Sequence, residues 1–397
     1  MPSTSSQDAD DLTKAFGDTQ LSATNGKVLT LDSNDGYEEV MGFFQAAADA
    51  AESEPDTVKL YFASAPKLDV DLMSEIISQI EGSPFRQVVF FLRIADFLKV
   101  LEKKRIRNFF KENVDHEKGK VCVYASQKLH FHTKWYAYKP DGTASVQIMC
   151  TSADMIPHHL KQVSDHRENF INSFFRDSME KLLFKRNLLY PMFQTCHLIC
   201  TNFDAEGSAR FNIPVQTPMI QNLSSHKIFK AIEKFVNDVH VHANEHLSAG
   251  HTIYIVSPYV LTKESINRTV IDKFLSLHEN QPVSEPEFMV RLSVIHNHYE
   301  DESPYNTRKF VDALDGLKTD VEQTNHASIT KANNKFHIKL IAHVDDNEDE
   351  VRVINISANF TNQNMTIDGN DTYENLEWLY HHSMTKPEWE AFISKLI

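Results

Sequence analysis

Phe131-His132-Thr133-Lys134 and Phe336-His337-Ile338-Lys339 are two versions of one tetrapeptide. Each is followed by a second shared segment, Thr151-Ser152-Ala153-Asp154 and Ile356-Ser357-Ala358-Asn359. Both pairs lie 205 residues apart (132 to 337, 152 to 357). A His-x-Lys core alone is common by chance, but two copies with a Ser-Ala-(Asp/Asn) segment at the same downstream distance imply a duplicated unit.

The chain around each copy repeats as well. In the first half, Tyr37 to Ala51 has helical spacing, Val58 to Phe62 is a strand running into Ser64-Ala65-Pro66, and Leu68 to Ile80 is a helix. A buried strand (Gln87 to Leu92), a basic helix (Phe97 to Lys111) and a strand (Lys120 to Tyr124) then lead to the first His-x-Lys. In the second half, Ser225 to Leu247 is a helix opened by a Ser cap, Thr252 to Pro258 a strand ending in Ser-Pro, Ser265 to His278 a helix and Phe288 to Ile295 a strand. Downstream, Glu168-Asn169-Phe170 corresponds to Glu374-Asn375-Leu376 with an offset of one residue, and Ser178-Met179 to Ser383-Met384. Alternating helices and apolar strands predict an α/β fold of two tandem α/β/α repeats. The expected organisation is a flexible tail over 1–26, a first domain over 27–200 and a second over 201–397. The segment from about 187 to 224, with Pro191, Pro214 and Pro218, carries the crossing between repeats. Two acidic stretches, Asp345 to Glu350 and Tyr299 to Glu302, read as surface loops, the first as a hairpin connection.

At 397 residues, 41% of them apolar, the chain is long enough for two ordinary cores. No apolar run approaches the roughly 20 residues of a membrane helix, so no stable membrane insertion is expected. The Ser/Thr/Asp-rich start lacks the basic and apolar regions of a secretory signal, which predicts an intracellular protein, nuclear or cytoplasmic. Four cysteines (Cys122, Cys150, Cys196, Cys200) are too few and unpatterned for a disulfide framework. Cys196, His197 and Cys200 lack further metal ligands at recognisable spacing, and read as ordinary side chains. A net charge of -15 excludes a protein that coats nucleic acid by bulk electrostatics. A local basic groove is still open to it, from Lys99, Lys103, Lys104, Arg105, Arg107 and Lys111, or from Lys181, Lys185 and Arg186. These are first of all the solvated faces of helices.

His-x-Lys in a strand puts both side chains on one sheet face, because residues i and i+2 point the same way. The following strand delivers Ser357 and Asn359 by the same alternation. One such copy is ordinarily a buried His with a snorkelling Lys. Two copies facing each other across a pseudo-two-fold axis are different: two imidazoles supply a nucleophile and a general acid, and two ammonium groups with an amide clamp the oxygens of a phosphodiester. Such a site needs no metal or other cofactor. One neutral histidine attacks phosphorus to form a phosphohistidine while the other, as imidazolium, protonates the leaving oxygen and then activates water. Glu168 and Glu374 are candidates to hold the ring nitrogens and fix the tautomers.

On these motifs the chain resembles the phospholipase D superfamily, whose signature is His-x-Lys-x4-Asp followed by a Gly-Ser-x-Asn-type tetrad, present twice; the resemblance spans residues 27 to 397. It implies two phospholipase D-like repeats with the active site at their interface. The signature Asp should be fifth after the Lys, where Lys139 and Val344 stand; Asp141 and Asp345 are out of register. Its loss in both copies resembles the tyrosyl-DNA phosphodiesterase branch and, more loosely, the type II acid deoxyribonucleases. The second copy, with Thr372-Tyr373-Glu374 behind it, favours the former. By that resemblance His132 is the nucleophile, His337 the general acid/base, and Lys134, Lys339 and Asn359 hold the phosphate, with Ser152 and Ser357 beside them. Asp154 departs from the pattern, because Asn is expected there. It is turned toward a lysine, or protonated, or it weakens phosphate binding.

The function this predicts is metal-independent hydrolysis of a phosphodiester, on DNA or another nucleic acid. The alternatives are a phospholipase D-type lipid phosphodiesterase or transphosphatidylase, and a phosphate-binding pseudoenzyme. His242-Ala243-Asn244-Glu245-His246 also matches the His-x-x-Glu-His pattern of inverted zinc peptidases, with His240 and His251 nearby. In a chain with 20 histidines that pattern arises readily by chance.

Overall fold

The computed structural model describes residues 27–55, 58–64, 69–80, 82–93, 121–126, 132–139, 146–161, 167–175, 184–189, 191–192, 197–201, 220–245, 250–261, 269–279, 290–297, 308–323, 326–361, 364–365, 367 and 376–397. The tail over 1–26, the basic helix over 97–111, Lys181, Asp141, the acidic stretch 299–302, His246 and Glu374 fall outside them.

In chain order the first half contains β1 (Lys27–Asp32), α1 (Ser33–Ser53), β2 (Lys59–Ser64), α2 (Val70–Ile80), β3 (Gln87–Arg93), β4 (Val121–Ser126), β5 (Trp135–Lys139), β6 (Val146–Thr151), the single-turn α3 (Pro157–Leu160) and β7 (Arg167–Phe175). A π-helical turn (Lys185–Leu189) and β8 (His197–Thr201) follow. The second half contains β9 (Gln221–Ser224), α4 (Ser225–Glu245), β10 (His251–Ser257), α5 (Thr269–Glu279), β11 (Arg291–His296), α6 (Arg308–Gln323), β12 (Ala327–Lys331), β13 (Leu340–Asp345), β14 (Glu350–Ile356), β15 (Leu376–Thr385) and α7 (Lys386–Ile393).

The two sheets have one topology. The first runs β1-β7-β6-β5-β2-β3-β4-β8 and the second, written in the matching direction, β9-β15-β14-β13-β10-β11-β12. In each, three strands run parallel (β2-β3-β4; β10-β11-β12) and the rest pair antiparallel. The duplication read from the motifs is therefore a duplication of the whole sheet, with β8 added at one edge. Among the described residues no helix is long and apolar enough to cross a membrane.

Local sequence accounts for the elements that shape each half. Asp32 caps α1, accepting from the backbone N–H groups of Asn34 at 3.0 Å and Asp35 at 3.1 Å. Val40, Phe44, Ala47, Ala48 and Ala51 then recur on one helix face and bury it against Phe62, Phe90 and Tyr136. At the other end of the chain, Thr385 and Glu388 form a capping box that starts α7 as β15 ends. The hairpin expected between the last strands is present, with its turn over 346–349. Asp345, read from sequence as part of that loop, instead ends β13 and is only 3% exposed.

The halves meet through apolar surface. Trp378 and Tyr380 of β15 join Trp135, Cys150, Ile171 and Phe184 in one cluster, with Phe184 and Leu188 from the π-helical region. The indole of Trp378 is fully buried and donates from Nε1 to the Thr151 carbonyl at 3.2 Å. Truncating such a residue to alanine costs about 3–5 kcal/mol, so this contact holds the halves in register as well as filling space. A second tie is backbone: His337 N–H donates to the Arg167 carbonyl at 2.8 Å and Arg167 N–H to the Lys335 carbonyl at 3.0 Å.

Candidate active site

Each half presents the same three pieces at the same sheet end. His132-Thr133-Lys134 lies immediately before β5, Ser152-Ala153-Asp154 immediately after β6, and Glu168 is the second residue of β7. His337-Ile338-Lys339 precedes β13, Ser357-Ala358-Asn359 follows β14, and Glu377 is the second residue of β15. The His-x-Lys segments thus run into their strands rather than lying within them. All the pieces gather at the carboxyl ends of the parallel strands, where α/β sheets place their ligand sites.

The two sets are interlocked. Glu377 of the second half approaches Nδ1 of His132 at 3.2 Å, and Glu168 of the first half approaches Nδ1 of His337 at 3.4 Å. The Ser152 carbonyl also accepts from His337 Nδ1 at 2.9 Å. These partners fix Nδ1 as the protonated nitrogen of each neutral ring, leaving the Nε2 lone pair for chemistry. The serines serve the carboxylates: Ser152 Oγ donates to Glu168 Oε2 and Ser357 Oγ to Glu377 Oε2, each at 2.5 Å. Backbone N–H groups of Asn169 and Trp378 donate to those hydroxyls at 2.9 and 2.8 Å. Two chains of backbone N–H, serine, carboxylate and imidazole therefore cross between the halves in opposite directions.

The lysines are buried beside the rings. Lys134 is fully buried, with Nζ 3.1 Å from the His132 carbonyl and 3.3 Å from His132 Nε2. Lys339 is 1% exposed and donates to the His337 carbonyl at 2.8 Å. Asp154, also buried, sits 3.3 Å from the Lys134 ammonium. The carboxylate at the discordant position is thus turned toward a lysine. Asn359 lies in the matching place of the second half, with Nδ2 3.4 Å from Asn364 Oδ1.

Burial and charge set the protonation states. Burial, then the Lys134 charge, push the His132 imidazole below its usual range against the opposing pull of Glu377. Burial and Lys339 bring His337 down to about 3, with Glu168 opposing. Burial would raise Asp154, but Lys134, His159, His337 and His132 outweigh it and hold the carboxyl at about 2. The same contest leaves Glu377 lowered, through His132, Ser357 and Lys134. Lys339 falls to about 7, because burial and the neighbouring Lys134 outweigh Glu168, Asp154 and Glu377. At pH 7 both imidazoles are therefore neutral and Asp154 is an anion.

Nine of the ten residues singled out from sequence come together: His132, Lys134, Ser152, Asp154, Glu168, His337, Lys339, Ser357 and Asn359. Glu374 lies outside the described residues, and the carboxylate on His132 is Glu377. Among the described residues, His159 and Asn364 also belong to the site. His159 puts Nδ1 3.2 Å from Glu168 Oε1, accepts from Asp154 N–H at 2.9 Å and packs its ring 4.9 Å from that of His337. Asn364 donates from Nδ2 to Glu377 Oε1 at 3.3 Å. His159 follows Asp154 by five residues as Asn364 follows Asn359, so the 205-residue spacing identifies them as a matched pair. His159, Glu168 and His337 bring ligand atoms within 4.8 Å of one another, a spacing that admits a divalent ion.

No protein-family model and no curated protein matches the sequence. Solved structures do. The chain superposes on polyphosphate kinase from Porphyromonas gingivalis with a TM-score of 0.55 at 11% identity, over 93% of this chain and 49% of that one. It superposes on phosphatidylserine synthase from Haemophilus influenzae Rd KW20 with a TM-score of 0.55 at 11% identity, over 93% and 84%. The yeast tyrosyl-DNA phosphodiesterase matches at 0.47 and 9% identity, over 90% and 89%. The chain spans about half the length of the polyphosphate kinase. With the repeated sheet order and the interlocked His-x-Lys segments, these superpositions identify the architecture as the duplicated α/β fold of the phospholipase D superfamily.

Proposed function

We propose that the protein is a phosphodiesterase that works through two histidines and a covalent phosphohistidine, with no metal taking part in the chemistry. The observation that carries this reading is the crossed anchoring: each imidazole is gripped at Nδ1 by a carboxylate from the opposite half, so both rings belong to one site. His132 Nε2 attacks phosphorus, and the bond from phosphorus to the leaving oxygen breaks as His337 gives that oxygen a proton. His337 then takes a proton from water, and the resulting hydroxide attacks phosphorus and releases His132. Lys134, Lys339 and Asn359 hold the non-bridging oxygens.

The depressed histidines fit this cycle. An approaching phosphodiester brings negative charge into a buried site, which raises both imidazoles and lets His337 acquire its proton on substrate binding. The substrate is proposed to be nucleic acid, on the resemblance of the second copy's His337-x-Lys339 and Thr-Ser-Ala-Asn-like Ile356 to Asn359 to the tyrosyl-DNA phosphodiesterase pattern. A second reading, phosphate binding without turnover, is favoured by Asp154, whose carboxylate already occupies Lys134 at 3.3 Å.

The test offers purified protein in EDTA a 3′-phosphotyrosyl oligonucleotide, plain single- and double-stranded DNA and phosphatidylcholine, beside His132→Ala and His337→Ala. Turnover of one nucleic-acid substrate, lowered at least about 1,000-fold by either substitution, is the expected result. Hydrolysis that needs metal, or that survives both substitutions, defeats the two-histidine cycle. Turnover of the lipid alone moves the substrate class, and no turnover on any substrate favours the binding reading.

A further inference from the structure

A second cluster of ligating side chains sits at the opposite end of the second sheet. His242 is in the last turn of α4, His251 opens β10, and Asp345 ends β13 directly across the ladder from His251. His343, two residues before Asp345, lies on the same sheet face. His337 and Asp345 are separated by eight residues of extended chain, roughly 25 Å. The cluster is therefore independent of the catalytic groups.

We propose that His242, His251 and Asp345 bind a divalent transition-metal ion of the zinc type, with the His343 imidazole as the adjoining fourth ligand. His242 Nε2 lies 3.2 Å from Asp345 Oδ2, and His251 Nδ1 lies 3.7 Å from the same oxygen. The three ligand atoms all fall within 4.8 Å of one another. Ligands about 2.0–2.1 Å from a tetrahedral zinc ion stand roughly 3.3 Å apart, so these separations are those of ligand atoms around one small cation. His343 Nε2 is 3.2 Å from His251 Nδ1, with the two rings stacked at 5.4 Å. His251, His343 and Asp345 are 0%, 1% and 3% exposed, which makes the setting dry. Nitrogen and carboxylate donors in this number suit zinc better than calcium or magnesium, which prefer oxygen.

The first half shows that the fold does not require these residues. Helices α1 and α4 are both 21 residues long, which places Ala50 where α4 has His242. The pairing of Lys59 with Lys139 matches that of Thr252 with Val344, which places Val58 opposite His251 and Tyr138 opposite His343. The same corner is closed by an alanine, a valine and a tyrosine in one half and by imidazoles and a carboxylate in the other. His242 is also the first histidine of His242-x-x-Glu245-His246. Its partners come from two strands, and Glu245 is exposed, so the chemistry is a clamp between helix and sheet rather than a peptidase centre.

The experiment uses the full chain, stripped with EDTA and dialysed, and titrated with Zn²⁺ by calorimetry, with Co²⁺ as an optical probe of coordination. The expected result is about one ion per chain, a Tm that rises on adding Zn²⁺, and the visible absorption of four-coordinate Co²⁺. His242→Ala and Asp345→Asn, which remove partly exposed and buried ligands respectively, should each bind at least about tenfold more weakly and lose the Tm response. His159→Ala, which disrupts the three ligating groups at the catalytic end, should bind as wild type does. Equal binding by wild type and His242→Ala, loss of binding on His159→Ala instead, or no stoichiometric binding would each overturn the proposal. Whether stripped protein still hydrolyses substrate does not enter this result, so it stands or falls separately from the two-histidine cycle.

Discussion

The two half-sites share a backbone and differ in two side chains. The second half has Asn359 and Asn364, and the first has Asp154 and His159 at the matching positions. In the second half the amide of Asn364 supports Glu377; in the first, the imidazole of His159 lies against Glu168 and also receives the backbone N–H of Asp154. Replacing two neutral amides by an acid and a base changes what each lysine meets. Lys134 has a carboxylate 3.3 Å away, whereas Lys339 is lowered to about 7 by burial and by Lys134. A duplicated scaffold has thus been divided into one half that pairs its lysine internally and one that leaves its lysine in need of an anion.

Short of removing a histidine, the largest effect should come from uncrossing the halves. Glu377→Gln removes the charge that holds His132, and Glu168→Gln the charge that holds His337, and each should lower kcat about 100-fold or more with little change in fold. The crossed arrangement makes a sharper claim about coupling. Glu377→Gln should be strongly non-additive with His132→Ala and close to additive with His337→Ala, measured as a double-mutant cycle on kcat/KM. The reverse pattern would mean that each carboxylate serves its own half. Rapid quench adds a second readout: with a good leaving group Glu168→Gln should accumulate phosphoenzyme, because in the proposed cycle His337 activates water, while Glu377→Gln should not.

Asp154→Asn comes next, since it makes the first half resemble the second. Losing a buried anion beside the phosphate position should lower KM about tenfold, the worth of one pKa unit of interaction, with kcat changing less. A fall in kcat with KM unchanged would instead make Asp154 part of the chemistry. Full activation of an otherwise inert protein would identify Asp154 as the residue that silences it.

How far the sequence specifies these residues depends on the kind of signal each carries. The repeated His-x-Lys and Ser-Ala segments sit against strands whose spacing is rigid, so one constant offset located eight site residues and the duplicated sheet. Glu377 escaped because the connection before β15 is four residues longer than the offset assumes, and Glu374-Asn375-Leu376 imitated Glu168-Asn169-Phe170. The usable signal was a lone carboxylate inside the apolar run Leu376-Glu377-Trp378-Leu379-Tyr380, where burial demands a partner. His159 and Asn364 obey the 205-residue offset but differ in type, so identity matching passes over them. Asp345 has the sequence signature of a loop because acidic neighbours follow it, and only the ladder to His251 reveals a buried strand end. Strands β1 and β9, which close the sheets against β7 and β15, are short and carry little periodicity, so long-range pairing decides them.

The smallest effect, and the one that isolates the second half, is on pH. The Lys339 ammonium loses its proton near pH 7, and a bound phosphodiester anion favours the protonated form. Binding above that pH must therefore take up a proton, so affinity falls as pH rises. A midpoint at 7 gives about a fivefold loss between pH 7 and 8 and tenfold per unit beyond. Before binding, His337 and Asp154, held at about 3 and about 2, are already deprotonated throughout that window, and a proton that His337 takes up with the anion adds a slope common to wild type and variant. Lys339→Arg keeps the charge at all these pH values and should remove the Lys339 share of the slope, even where its geometry weakens binding overall. The measurement is inhibition by dimethyl phosphate, an anion throughout the range, followed from pH 6 to 9. A profile that is flat in the wild type, or that is just as steep in Lys339→Arg, would place the titrating group elsewhere and remove the electrostatic distinction between the two lysines.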